Sequence, residues 1–109
     1  MALFSLLVSC RGIGAFASQC QAPSPYEAVR IFLRGPSLNH FLAEHSGWPK
    51  DFHLRDIYAF YPLVDLAQLY FCGLGQEGRY VDIHVAQTVR HAGAQARYCG
   101  PQRRSVVLR

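Results

Sequence analysis

The stretch "MALFSLLVSCRGIGAFASQCQAPSPY", Met1 to Tyr26, holds no acidic residue, a single Arg and four Ser. An apolar run from Ala2 to Val8 is followed by Ala15-Phe16-Ala17, which has the small-x-small form of a secretory cleavage site. Leu7-Val8-Ser9-Cys10 has the form of a lipoprotein box, although Cys10 stands early for one and Arg11 follows the apolar run instead of preceding it. An Arg- and Ser-containing, acid-free start is also the composition of an organellar transit peptide. The competing reading makes residues 1–24 the first strand or helix of the fold. Location follows from that choice: intracellular if the segment is structural, secreted or organellar if it is a leader.

A chain of 109 residues suffices for one small domain, here residues 25–109 with or without the first segment, and excludes an eight-fold barrel or a complete doubly wound enzyme. Half the residues are apolar and 17% are charged, so the composition supports a packed core. The chain carries eleven Lys plus Arg against seven Asp plus Glu, and Lys50 is its only lysine. Arginine suits bidentate contact with phosphate or carboxylate, although a GC-rich coding sequence gives the same bias. The cations are unevenly placed. Residues 1–82 hold six basic and seven acidic side chains, whereas residues 83–109 hold Arg90, Arg97, Arg103, Arg104 and Arg109 with no acid. The whole net charge of +4 therefore traces to the last quarter of the chain. Such a one-signed segment attracts nucleic acid, anionic lipid or an acidic protein.

Ser24-Pro25-Tyr26-Glu27 is a helix start, with Ser as cap, Pro in the first turn and Glu placed to bond back. Ala28, Ile31 and Phe32 supply the stripe, and Gly35-Pro36 stops it. Ser37 caps a second helix whose Leu38, Phe41 and Leu42 share a face, ended by Gly47, with a turn at Trp48-Pro49. Asp51 caps a third helical segment through Leu54, Ile57, Tyr58 and Tyr61, which Pro62 kinks before Leu63, Leu66, Leu69 and Tyr70 continue it to Gly73. The period then changes. Val81, Ile83, Val85 and Val89 alternate with Asp82, His84, Ala86 and Thr88, a strand pattern that also admits a helix. Ala96 to Cys99 and Ser105 to Leu108 read as short return strands. The expected fold is thus α+β, with a helical N-terminal two-thirds followed by a short antiparallel hairpin or sheet.

Gly73, Gly75 and Gly78 satisfy G-x-G-x-x-G, but a dinucleotide site needs a strand before, a helix after and an acid about 20 residues on. No acid follows Asp82, so the motif reads as a helix C-cap and a glycine-rich turn into the hairpin. "VDIHV" is similar to the Asp-x-His-x-His strand of metal-dependent amidohydrolases, where two histidines bind metal. Here the second histidine is Ala86 and the chain is too short for their barrel, so that family's site is not carried over.

Two sites of different chemistry follow. The first is a basic C-terminal surface of Arg90, Arg97, Tyr98, Arg103 and Arg104, whose cations around one aromatic suit phosphate contact and base stacking. The function expected from it is a small non-catalytic binding or adaptor protein contacting an anionic partner, with nucleic acid the first candidate and no cofactor. The alternative is a small metal- or thiol-dependent enzyme built on Cys72, Asp82, His84, His91 and Cys99. His40, Glu44 and His45 form a further histidine cluster without compact metal-ligand spacing. The most apolar window, Ile57 to Gly75, contains Pro62, Asp65 and Gln68 and makes no convincing membrane span.

Overall fold

The computed structural model describes residues 1–63 and 68–88. Strand β1, Ala2–Cys10, turns Phe4, Leu6, Val8 and Cys10 to one face, where all four are buried. This two-residue period is that of a pleated strand with one face on the core. A three-residue turn follows, with Gly12 at φ 90° and the Ile13 N–H donating to the Cys10 carbonyl at 3.1 Å. Strand β2, Gly14–Ala22, then returns antiparallel in unbroken register, from Cys10 against Gly14 to Ala2 against Ala22.

Helix α1, Pro25–Arg34, begins on Ser24, whose Oγ accepts the Glu27 N–H at 3.2 Å. The Glu27 carboxylate does not return to the cap, as a full capping box would require; it pairs with Arg30 at 2.6 Å. Ala28, Val29 and Phe32 form the buried face, and Gly35 ends the helix. Helix α2, Ser37–Leu42, is one turn and a half, starts at Pro36 without a side-chain cap, and buries Leu38 and Leu42. Trp48 and Phe52 add two further buried rings. A single 3-10 turn, Leu54–Asp56, precedes β3, Ile57–Pro62. Strands β4, Leu69–Gln76, and β5, Arg79–Thr88, complete the sheet. Glu77 and Gly78 join them with φ of 53° and 77°, the positive pair that a two-residue type I′ hairpin turn demands.

The described residues thus form a five-stranded antiparallel sheet in the order β2-β1-β5-β4-β3. Both helices lie on one face, where Phe4, Leu6, Val8, Phe16, Leu74, Val81, Ile83 and Val85 pack with Val29, Phe32, Leu38 and Leu42. Burial of such side chains, at roughly 1.5–3 kcal/mol each, is the main force holding helices to sheet.

The expected helical N-terminal two-thirds is overturned, because this is mostly antiparallel sheet with only two short helices. Residues 1–22 form two strands, and residues 57–62 and 69–76 form two more where helices were expected. Ile57 to Tyr61 is apolar or aromatic at every position, so the helical spacing of Ile57, Tyr58 and Tyr61 carries no periodic information. Pro62 is the last residue of an edge strand, a position that tolerates a missing N–H, and not a helix kink. The alternation from Val81 to Thr88 is a strand, as its β-branched residues imply. The return strands expected at 96–99 and 105–108 lie outside the described residues, as do Leu66 and Val89.

Candidate anion-binding cleft

Gly73 and Gly75 sit inside β4 and not in a phosphate-binding turn. Their missing side chains make room for rings: a Cβ on Gly73 would stand 2.6 Å from Tyr58 Cζ, and one on Gly75 would stand 3.1 Å from Tyr80 Cε1. Tyr58 and Tyr80 meet edge to face at 6.1 Å, and the Arg11 guanidinium lies 5.1 Å from the Tyr80 ring centre. Arg11 also grips Asp82 with two hydrogen bonds of 2.9 and 3.2 Å.

This arrangement separates the residues of the thiol reading. Asp82 and His84 do share a face of β5, but Cys72 pairs with Ile83 and faces the helices on the other side of the sheet. Burial pushes the Cys72 thiol up to about 12, so the thiolate that attacks carbonyls or binds metal is disfavoured at neutral pH. Asp82 is held by Arg11, and His84 rests against the Phe71 ring at 5.5 Å. His91 and Cys99 lie outside the described residues. Among the described residues, no group of three or more His, Cys, Asp or Glu is placed to hold a metal ion. His40 and Glu44 are exposed, and His45 lies beside Phe41 at 5.5 Å.

The other two cysteines among the described residues are likewise far from nucleophilic. Cys10 is pushed up to about 12, first by burial and then by the Asp82 charge. Burial also raises Cys20, whose Sγ lies 3.4 Å from the Ala28 carbonyl oxygen, within hydrogen-bonding reach. Strand β5 separates Cys10 from Cys72, so strand spacing alone puts their backbones about 9.6 Å apart. A disulfide needs roughly 7 Å or less.

A cleft of about 540 Å³ opens where the end of α1 meets residues 51–55. Leu33, Phe52 and Leu54 give it apolar walls, and Arg30, Arg34 and Arg55 supply cations. Arg30 is committed to Glu27, whose carboxylate raises its pKa above the ordinary guanidinium value. Arg34 and Arg55 are exposed, and among the described residues neither has an ion-pair partner. Asp56, outside the lining, holds the segment that carries His53 by accepting the His53 N–H at 2.8 Å and Gln76 Nε2–H at 3.1 Å. Asn39 adds a neutral amide and Asp51 one opposing charge. The chemistry available is recognition of a carboxylate or phosphate attached to an apolar body.

Sequence reasoning passed over this cleft. Arg30 and Arg34 stand four apart on a helix whose boundaries were legible, which marks one exposed basic edge. Arg55 joins them only through the tertiary fold. Arg90, Arg97, Tyr98, Arg103 and Arg104 lie outside the described residues. Among the described residues, no helix is long and apolar enough to cross a membrane. No protein-family model matches this chain, and neither does any curated protein or solved structure.

Proposed function

We propose that this is a small non-catalytic binding or adaptor protein that contacts an anionic partner, with nucleic acid the first candidate. The observation that carries the reading is the pair of exposed arginines, Arg34 and Arg55, which flank an apolar-walled cleft without carboxylate partners among the described residues. Charge placement supports it: residues 83–109 bring five arginines and no acid. Arg90, Arg97, Arg103 and Arg104 supply the long-range attraction, Tyr98 supplies a ring for base stacking, and Arg34 with Arg55 supplies a shaped point of contact.

The test is titration of the protein with a fluorescent single-stranded oligonucleotide across a series of salt concentrations. Affinity falls linearly on a log–log plot, with a slope that reports how many phosphates are neutralised. The triple replacement of Arg97, Arg103 and Arg104 by Ala lowers that slope by about two, at roughly 0.7 per lost contact on a single strand, with the melting temperature unchanged. The double replacement of Arg34 and Arg55 by Ala lowers it by about one. Binding that ignores both replacements, or ignores salt, removes the proposal.

A further inference from the structure

On the side of the sheet away from the helices, β3, β4 and β5 are paved with rings. Tyr61, Phe71 and His84 stand in one row across the three strands, with successive ring centres 5.3 and 5.5 Å apart. Nearer the β4–β5 turn, Tyr58 meets Tyr80 edge to face, and the Arg11 guanidinium lies over Tyr80. Three of these rings are open to solvent, Tyr58 at 55%, Tyr61 at 48% and Tyr80 at 41%. Exposed rings gathered on one face mark a binding surface, whereas scattered single ones do not. Gly73 and Gly75 seat Tyr58 and Tyr80 against the β4 backbone, so these rings are held in place and lose little freedom when a partner covers them.

Charge narrows what the surface binds. Asp82 is the only acidic residue in the five described strands, and Arg11 holds it with two hydrogen bonds. The Arg11 side chain stays 55% exposed beside the rings, where its planar cation can add to stacking. No acidic residue follows Asp82 in the chain, and five arginines do. These features fit a partner that offers both flat rings and negative charge.

We propose, building on the nucleic-acid reading above, that the rings of β3, β4 and β5 are a stacking platform for the bases of single-stranded nucleic acid, separate from the cleft beside α1. Every base has a flat π-face, so such a platform accepts any sequence. A duplex does not fit it, because paired bases already stack on one another and show only their edges in the grooves. A protein partner would be held by apolar area, which a leucine supplies as well as a tyrosine. Bases need the ring.

The experiment is titration of the full chain with fluorescent oligothymidine at several salt concentrations, comparing the parent with Tyr58→Leu, Tyr61→Leu and Tyr61→Phe. Each Leu variant should raise Kd roughly tenfold at every salt concentration and leave the log–log slope unchanged, because a base contact is lost and no phosphate contact is. Tyr61→Phe keeps the ring and should bind about as the parent does. Should Tyr58→Leu not fold, as circular dichroism would show, Tyr61→Leu on the exposed edge strand carries the comparison. An abasic strand of the same length should bind the parent and the Leu variants alike, and a duplex should not displace the oligothymidine. Salt-dependent binding that both Leu variants retain in full, or an abasic strand bound as tightly as the oligothymidine, overturns the platform and leaves the arginine contacts standing. A chain that binds no oligonucleotide at all removes both readings.

Discussion

Leu6 and Leu7 are neighbours in β1 and the same residue type, yet Leu6 is 1% exposed and Leu7 is 51% exposed. Leu6 faces the helices with Phe4 and Val8, in a layer of apolar side chains closed on all sides. Leu7 lies on the opposite face, which is built differently. There Ser5 and Thr88 share a 2.7 Å hydrogen bond, Gln19 donates to Ser5 at 3.0 Å, and Arg11 clasps Asp82. Rings run between these polar pairs, with Tyr61 on Phe71 at 5.3 Å and Phe71 on His84 at 5.5 Å. The helix-bearing face gains its stability from area removed from water, and the other face from particular pairings. The two faces should therefore respond to substitution on different scales.

The widest separation is expected from the leucine pair. Leu6→Ala leaves a cavity in a closed core and should cost about 2–5 kcal/mol, whereas Leu7→Ala should stay within about 0.5 kcal/mol. Urea denaturation of the two variants checks this, and equal midpoints would end the distinction between the faces. Gly73→Ala comes next. Its Cβ would press on the Tyr58 ring and should cost about 1–3 kcal/mol. Pairing it with Tyr58→Ala should return part of that loss, a coupling that a double-mutant cycle measures directly. If Tyr58→Ala returns nothing, the ring does not depend on the glycine seat.

The smallest effect expected is a dependence on alkaline pH that belongs to the buried face. Cys10 and Cys72 have folded-state values of about 12 against an ordinary 9.0. Below pH 9 both folded and unfolded thiols keep their protons, and stability is unaffected. As pH rises from 9 toward 12 the unfolded thiols ionise while the folded ones stay neutral, so the unfolded chain binds fewer protons and stability falls. The loss should be on the order of 1 kcal/mol per buried thiol at pH 10. Cys72→Ala should remove roughly half of the slope, and an unchanged slope in that variant would place the alkaline sensitivity elsewhere.

How much of this was legible in the sequence depended on whether a local signal was unique. Helix α1 was legible because Ser24, Pro25 and Gly35 agree, each for its own stereochemical reason, although of the stripe Ala28, Ile31 and Phe32 the middle residue is exposed and Val29 is buried instead. Strand β5 was legible only as one of two readings, because Val81, Ile83 and Val85 alternate with polar residues while Val81, Val85 and Val89 also fit a helix face. Strand β3 was hidden by rings on both faces: Phe60 packs against the core while Tyr58 and Tyr61 are exposed. Strand β1 was hidden by resemblance, because its apolar run is also what a leader requires. In β4 the glycines read as turn residues, whereas their use is to seat Tyr58 and Tyr80. Of the cleft nothing was read, although Arg30 and Arg34 stand four apart on the helix. Arg55 arrives from another element, which no local pattern announces.

The position of β1 between β2 and β5 has a consequence for how the chain assembles. Leu3 pairs with Thr88 and Cys10 with Val81, so the second ladder of β1 closes only when the last described strand is available. On a ribosome the first hairpin forms early, yet its β1 edge stays unpaired until residues 79–88 have cleared the exit tunnel. Contacts of such long sequence separation slow folding, and the waiting edge is open to other nascent chains. A circular permutant in which β5 is translated next to β1, strands now separated by residues 11–78, would fold faster from the same set of contacts.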